Sequence, residues 1–339
     1  MAKSHASLVK VYYDGYDFSS VHNRIDLTIG RVELIRNVFG QVGVGRQAGL
    51  PEFEIVHEGY IERGATAVED IIIGNIGTAD KIMTVCPTTG AVGEPAYSAK
   101  NVGLSYAPTH KIGELQGFVG AGFSQGDPIV RGQVLATGAK TETGNGAAKQ
   151  FQIWDTEQGN LSYTTEGDDK TFTDDGQDFG DWDVSSGNAK YQIVIINDDS
   201  TVTWGYLGAE VSATEVKVYQ EITLATSGWS GQDPTGKTPS TYAIRTAGQY
   251  LYGILHCTAV SGTNTPTITV KIQSDSTDAF SSASDRITFT AKTAIGSQWA
   301  TKVSADTITD NYWRASWTVS GTNPSLTVHC IAAIQTEEQ

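Results

Sequence analysis

The sequence predicts an all-β fold, mainly antiparallel, of sandwich or barrel type, with one short flanking helix. Three observations carry this. The 339 residues include 37 glycines and abundant Ser, Thr, Val, Ile and Tyr, while long Leu/Ala/Glu/Lys tracts are absent. Apolar residues alternate with polar ones at period two in several runs. The last hundred residues are short runs separated by Ser/Gly/Asn/Asp/Pro clusters, the spacing of a sandwich or barrel. The length suits two average domains or one large all-β domain, and the 39% hydrophobic content can build a core. No fixed-period repeat runs through the chain, which argues against a solenoid.

RIDLTIGRVELIRNVFG (24–40) and PEFEIVHEGYIER (51–63) form the first predicted strand pair. Ile25, Leu27 and Ile29 point one way, Asp26 and Thr28 the other. In the second strand Phe53, Ile55 and Ile61 share a face, with Glu52, Glu54, Glu58 and Glu62 opposite them. QVGVGRQAGL (41–50) reads as a long Gly-rich connection. TAVE (66–69) reads as a capping box with Thr66 as N-cap and Glu69 at the third helical position. Val68, Ile71, Ile72 and Ile76 then recur at helical spacing, and Gly74 and Gly77 end the helix.

Strand patterning resumes from 81 to 140, most strongly in VRGQVLATG (130–138), and TGNGAA (143–148) reads as a loop. Residues 155–210 carry thirteen acids against two bases, with Trp154, Trp182, Trp204 and Trp229 in or near the stretch. YQIVIIN (191–197) is a strand, and SGWSGQDPTGKTPS (227–240) reads as a linker. YLYGILHCTAV (250–260), TITVKIQ (267–273), DRITFTA (285–291), NYWRASWTVSG (311–321) and SLTVHCIAAI (325–334) are five further strands. In the fourth, Trp313, Ala315, Trp317 and Val319 face inward.

The formal net charge of −15 makes a poor general binder of nucleic acid, because phosphate binding needs Lys and Arg. It suits cations, a basic partner, or DNA that must pass without sticking. Cys86, Cys257 and Cys330 are far apart with no C-x-x-C, which excludes zinc-ribbon and thioredoxin-type readings. Cys257 shares a strand face with Leu251 and Leu255, and Cys330 with Val328 and Ala332, so both read as small buried hydrophobes rather than a disulfide. MAKSHASLVK has no apolar h-region, so no signal peptide is expected. No apolar run approaches the ~20 residues of a membrane span.

Gly122-Phe123-Ser124-Gln125-Gly126 fits the G-x-S-x-G pattern of a nucleophile elbow. An elbow needs a helix directly after the Ser. Here Gly126, Asp127 and Pro128 follow, then a β-branched strand, so a turn is expected. Gly43-Val44-Gly45-Arg46-Gln47-Ala48 mimics a dinucleotide fingerprint, but an alternating strand follows where that motif needs a helix. DDGQDFGDWD (174–183) offers Asp174, Asp178, Asp181 and Asp183 as a weak metal candidate without EF-hand spacing. His256 and His329 each precede a cysteine and are expected to be cross-strand neighbours, satisfied by hydrogen bonds. No Ser/His/Asp or Cys/His set is placed by the sequence. No enzyme activity, resident metal or cofactor is expected.

Two regions resemble one family. RVELIRNVFG, RQAGLPEFEIVHEGYIERG, VEDIIIGNIGTAD and VRGQVLATGAKTETGNGAA are similar to the N-terminal part of major tail proteins of long-tailed bacteriophages. YLYGILHCTAVSGTNTPTITVKIQSDSTDAFSSASDRITFTA and DNYWRASWTVSGTNPSLTVHCIAAI resemble their closing half. The resemblance implies a tail tube subunit: a β-sandwich with one flanking helix, forming hexameric rings that stack into the conduit for DNA. It implies self-assembly, tape-measure and tail terminator proteins as partners, passage of double-stranded DNA without specific binding, and a place in the virion tail after assembly in the host cytoplasm.

Residues 1–150 would then be the first part of the tube domain. Residues 151–239 would be an inserted acidic, Trp-rich β domain on the tube exterior, better suited to a non-contractile tail. Residues 240–339 would be its closing part or a separate C-terminal Ig-like domain. Asp26, Glu52, Glu54, Glu58 and Glu62 are the lumen candidates, since a negative lumen repels DNA. Gly43, Gly45, Arg46 and Gln47 are the candidates for reaching the next ring. The alternative is a phage decoration or receptor-binding protein with a carbohydrate-binding β-sandwich.

Overall fold

The computed structural model describes residues 9–36, 45–62, 64, 67–124, 129–150, 160–164, 170–176, 178–179, 189, 191–199, 201–221, 223–231, 234–246, 250–275, 277–303 and 312–335. It is a mainly antiparallel β structure with two sheets and one helix among these residues. The first elements are β1 (Lys10–Tyr13), β2 (Tyr16–Asp17), β3 (His22–Arg36), β4 (Gly45–Tyr60), α1 (Val68–Asn75), β5 (Lys81–Cys86), β6 (Pro95–Thr109), β7 (Gly117–Ser124), β8 (Val130–Lys140), β9 (Gly144–Asn145) and β10 (Lys149–Gln150). Next come β11 (Leu161–Thr164), β12 (Thr171–Asp174), β13 (Tyr191–Asn197), β14 (Val202–Ser212), β15 (Glu215–Tyr219), β16 (Ser230–Gly231) and β17 (Pro239–Thr246). The last are β18 (Tyr250–Asp275), β19 (Ser284–Thr288), β20 (Gly296–Val303) and β21 (Tyr312–Gln335).

The first sheet has fourteen strands: β1 to β10 and β18 to β21. The four runs expected at 250–260, 267–273, 311–321 and 325–334 are in fact two long bent strands, β18 and β21, paired along their whole lengths. The SGTN sequences at 261–264 and 320–323 are corners, not chain reversals. Gly262 (φ +123°), Asn264 (+56°), Gly321 (+115°) and Asn323 (+47°) take the left-handed conformations that turn both strands together. A Cβ on Gly262 would sit 2.9 Å from the Asn323 carbonyl oxygen, so the corners nest backbone to backbone.

The ribbon thus folds onto itself. Leu251, Leu255 and Cys257 of one half meet Ile268, Val270, Ile272 and a fully buried Trp313 of the other. Ala315 lies in that core, and Trp317 and Val319 pack against its rim, as the alternation predicts. β9 pairs with β21 at Ser316 and Trp317, so part of the expected 143–148 loop is strand.

β8 carries two cores on its two faces: Leu135 and Ala136 join the first, Val130 and Val134 the second. The second core fills the space where the sheet curls round through β6, β5 and β1 towards β18. Closure is made by the β1–β2 turn. Gly15 N–H donates to His256 Nδ1 (3.3 Å), and Ser297 Oγ donates to Asp14 Oδ1 (2.8 Å).

The helix packs Val68 and Ile72 into a third core with Phe53, Ile55, Met83 and Phe118. Its N-cap is Ala67, with no side-chain cap bond, so Glu69 stands at the second helical position rather than the third. Thr66 lies outside the described residues. Burial of Val68 sets the start, and the acids Glu69 and Asp70 favour the positive helix end without a capping box. Gly74 lies inside the last turn. Gly77, at φ +73°, follows the end.

β11 to β17 form a separate seven-stranded sheet in the order β11-β12-β15-β14-β13-β17, with β16 on β14. Phe172, Phe179, Ile193, Ile195, Leu207 and Ile244 are buried on one face. The stretch 227–240 is not a linker: Ser230–Gly231 pairs with β14, and Pro239 opens β17. Proline is tolerated there because it begins an edge strand. No helix among the described residues is long and apolar enough to cross a membrane.

Candidate functional site

Four strands of the first sheet, in the order β3-β4-β7-β6, extend from the curled part, with which they share β6. Their directions alternate, and their registers fix three rows on one face. The first is Arg24, Glu58, Val119 and Ala107. The second is Asp26, Val56, Ala121 and Ser105. The third is Thr28, Glu54, Phe123 and Val102. Every one of these residues is exposed or half-buried. On the other face Phe53, Ile55 and Phe118 are buried in the third core. This is a sheet with one dry and one wet face, as period-two patterning demands.

The wet face is acidic on its β3–β4 half and small or apolar on its β7–β6 half. Of the predicted acids, Asp26, Glu54 and Glu58 share it. Glu52 pairs with Gly30 through the backbone. Glu62 lies beyond the end of β4 at Tyr60 and is exposed, so it is not a strand-face residue. Arg24, which the sequence reading passed over, sits in the first row. Its Nη1 donates to Glu58 Oε1 (3.0 Å), and its Nη2 lies 2.5 Å from Asp26 Oδ2. Its spacing of two from Asp26 was the available signal. The pairs are well exposed, so they place charge more than they stabilise. One cation against three carboxylates leaves these rows net negative.

Two glycines let β4 and β7 close over a histidine pair behind the face. His22 Nδ1–H donates to the Phe18 carbonyl (3.0 Å), so its Nε2 accepts from His57 Nδ1–H at 2.8 Å. Phe118 meets both rings edge-on at 5.6 Å. A Cβ on Gly120 would come within 2.5 Å of His57 Nε2, and one on Gly59 within 2.8 Å of the Phe118 ring. Burial, then the His22 neighbour, pushes His57 down to about 3, and burial lowers His22.

His256 and His329 are cross-strand partners. Because Gly15 N–H donates to His256 Nδ1, His256 Nε2–H donates to Thr84 Oγ1 (2.8 Å), which pairs with Ser98 Oγ (2.8 Å). His329 contacts Thr137 Oγ1 (3.2 Å) and Cys86 Sγ (3.4 Å), and Tyr12 stacks on both rings. Burial holds His256 down to about 3 and His329 to about 4. These are satisfied core groups. All three cysteines are free and buried.

The other candidates separate. Gly45, Arg46 and Gln47 are strand, paired with Arg36, Ile35 and Leu34, so the connection expected over 41–50 runs too far into β4; Gly43 lies outside the described residues. Pro51 is accommodated because β7 does not flank β4 there. Gly122 to Ser124 end β7, and residues 125–128 lie outside the described residues. Asp174 is buried at the end of β12, accepting from Tyr242 OH (2.6 Å) and Gly176 N–H (2.9 Å). Asp178 is exposed; Asp181 and Asp183 lie outside the described residues. No group of three metal-type ligands occurs among the described residues.

No protein-family model matches the sequence, and no curated protein matches it. Among solved structures, the chain is similar to a chain of an extracellular contractile injection system, the PVC sheath-tube complex in its extended state. Identity is 14%, over 39% of this chain and 93% of that one, with a TM-score of 0.30. It is similar to a chain of the tail of an empty GTA particle with C6 symmetry, at 11% identity over 37% and 96%, TM-score 0.26. It is also similar to the SPP1 Dit protein, described as a hub of the adsorption apparatus of phages infecting Gram-positive hosts. Identity there is 12% over 96% and 99%, TM-score 0.25. At TM-scores this low the likenesses carry no argument for fold or function.

Proposed function

We propose that the chain is a structural subunit of a phage tail tube, and that the wet face of β3-β4-β7-β6 lines its lumen. One observation carries this reading: a sheet with one wet face that is open along β3 on one side and along the Gly103–Thr109 part of β6 on the other, among the described residues. No strand pairs with the outer edge of β3 among the described residues. The outer edge of β6 pairs with β5 from Tyr97 to Asn101, meets Gly77 N–H at Gly103, and from there to Thr109 pairs with no further strand among the described residues. Open edges are a hazard unless something covers them.

An even number of alternating strands solves this. The β3 of one copy runs antiparallel to the β6 of the next, so the ladder continues across the joint and a ring closes with no edge left. Strands about 4.8 Å apart and tilted by roughly 40° give each copy an arc of roughly 25 Å. Six copies then leave a lumen of roughly 35 Å after side chains, whereas three leave roughly 11 Å, too narrow for a duplex. The net negative rows keep DNA from adhering, and the subunit needs no catalytic group, metal or cofactor.

In this reading residues 151–239 form an outer module, tape-measure and terminator proteins meet the ring, and the protein belongs to a virion tail of the non-contractile kind. A carbohydrate-binding role for the 240–339 sandwich is disfavoured by Trp313, which is wholly interior. Negative-stain microscopy of the concentrated protein is the test. Hollow rings or tubes are expected; isolated compact particles or spikes would overturn the reading.

A further inference from the structure

The inner face of the curled sheet grows steadily more polar towards one end. On β18 it reads Ile254, His256, Thr258, and on β21 Ile331, His329, Thr327, each two residues apart. β1 supplies Tyr12 and then Lys10 in the same order. The two isoleucines and Tyr12 belong to the second core. The histidines are buried beside it, and Thr258 and Thr327 are half-buried at the mouth. There the sheet leaves a cavity of about 380 Å³, whose lining includes Lys10, Asp17, Thr89, Thr258, Thr327 and His329. Barrel mouths are frequent seats of small molecules, and ligand cavities run from roughly 300 to 1,000 Å³.

The walls of this cavity are fixed in advance. His329 is held between Thr137 Oγ1 and Cys86 Sγ, with the Tyr12 ring stacked on it at 4.3 Å. Glu94 pins the β5–β6 connection by accepting from Thr88 Oγ1 (2.7 Å), Thr89 Oγ1 (2.8 Å) and Ala91 N–H (3.0 Å). Gly90 (φ +69°) lies so close to the other side that a Cβ on it would sit 3.4 Å from both His329 Cε1 and Lys10 Cγ.

The polar atoms left over define the ligand. Thr89 Oγ1 already donates to Glu94, and Thr258 Oγ1 to the Thr327 carbonyl (3.4 Å), so what each has left is lone pairs. Thr327 Oγ1 bonds to no group among the described residues. Asp17 Oδ1 accepts from Ser19 N–H (3.0 Å) and Ser19 Oγ, which leaves Oδ2 open. Lys10 makes no ion pair among the described residues. The cavity therefore offers several acceptors and one ammonium donor, and Lys10 and Asp17 cancel in charge. That set matches a ligand with many O–H donors and no net charge.

We propose that this barrel mouth binds a neutral polyol, a single sugar residue. Its hydroxyls donate to Asp17, Thr89, Thr258 and Thr327 and accept from Lys10. The site lies away from the wet face of β3-β4-β7-β6, and it stands whether or not that face lines a conduit.

Equilibrium dialysis of the full chain against free glucose, galactose and mannose tests it, with inorganic phosphate as the ionic comparison. Saturable binding of at least one hexose is expected. Thr327→Val and Asp17→Asn are each expected to weaken it at least fivefold. Circular dichroism and thermal unfolding are expected to match wild type, since the first change is isosteric and the Asp17 side chain is exposed. Should Thr327→Val fail to fold, Asp17→Asn alone decides. No binding of any of the three hexoses would overturn the proposal. So would full affinity in the folded variants, which would put the sugar elsewhere, or a preference for phosphate, which would make the cavity an anion site.

Discussion

His22 Nε2 and His57 Nδ1 lie 2.8 Å apart directly behind the acidic face, and the bond requires His22 Nε2 to be unprotonated. A proton on His22 Nε2 would put two donors nose to nose in a buried site. The pair therefore locks β3 to β4 only while His22 is uncharged.

The first prediction follows from that pair together with His256 and His329. Their folded pKa values fall below the ordinary 6.5, to about 3 for His57 and His256 and about 4 for His329. Between these limits the unfolded chain binds more protons than the folded one, so stability rises with pH. It is full above about pH 6.5 and falls as pH drops towards 3. Each histidine contributes a slope of up to roughly 1.4 kcal/mol per pH unit. Denaturant midpoints from pH 7.5 to 4 are expected to fall, and a flat profile would contradict the neutral pairs.

The second concerns closure of the curled sheet. Gly15 has φ +88°, and a Cβ there would lie 2.4 Å from Gly296 N. The obstacle is backbone, so no rotamer change relieves it. Gly15→Ala is expected to cost about 2–3 kcal/mol and to lower the Tm, because the β1–β2 turn must move off His256. An unchanged Tm would mean the barrel does not close there.

The third concerns the folded ribbon. Trp313→Ala leaves a cavity among Leu135, Val270 and Cys330 and is expected to cost about 3–5 kcal/mol. Trp317, at the rim with Lys140 Nζ 4.2 Å from its ring centroid, is expected to cost clearly less. Equal losses in thermal unfolding would show that the strand alternation has been misassigned.

The fourth concerns charge on the wet face. Glu58→Lys removes a partner of Arg24 and adds a second cation beside it, whereas Glu54→Lys changes a row with no cation. Both are expected to make tubes retain duplex DNA at low salt, Glu58→Lys more strongly, with retention fading as salt rises. Equal, negligible DNA retention in the variants and the wild type would place these acids outside the lumen.

How much of this was legible from the sequence differs by element. Tyr191–Asn197 was readable end to end because a continuous β-branched run is buried on both faces. The alternation around Trp313 was readable for the same local reason. The two long strands were not, since S-G-T-N has the chemistry of a turn and only long-range pairing shows it serving as a corner. Local glycine content likewise hid the strand at 45–50, whose pairing with β3 lies across the connection. Asp26, Glu54 and Glu58 were placed correctly on one face by period two, but Arg24 and the end of β4 before Glu62 needed the register.

The most direct test of the account is a helical reconstruction of the assembled protein at side-chain resolution. β3 of one copy is expected to be hydrogen-bonded along the Gly103–Thr109 part of its neighbour's β6 in an unbroken barrel, with Asp26, Glu54 and Glu58 facing the lumen. Subunits joined through another surface, or an acidic face turned outward, would contradict it.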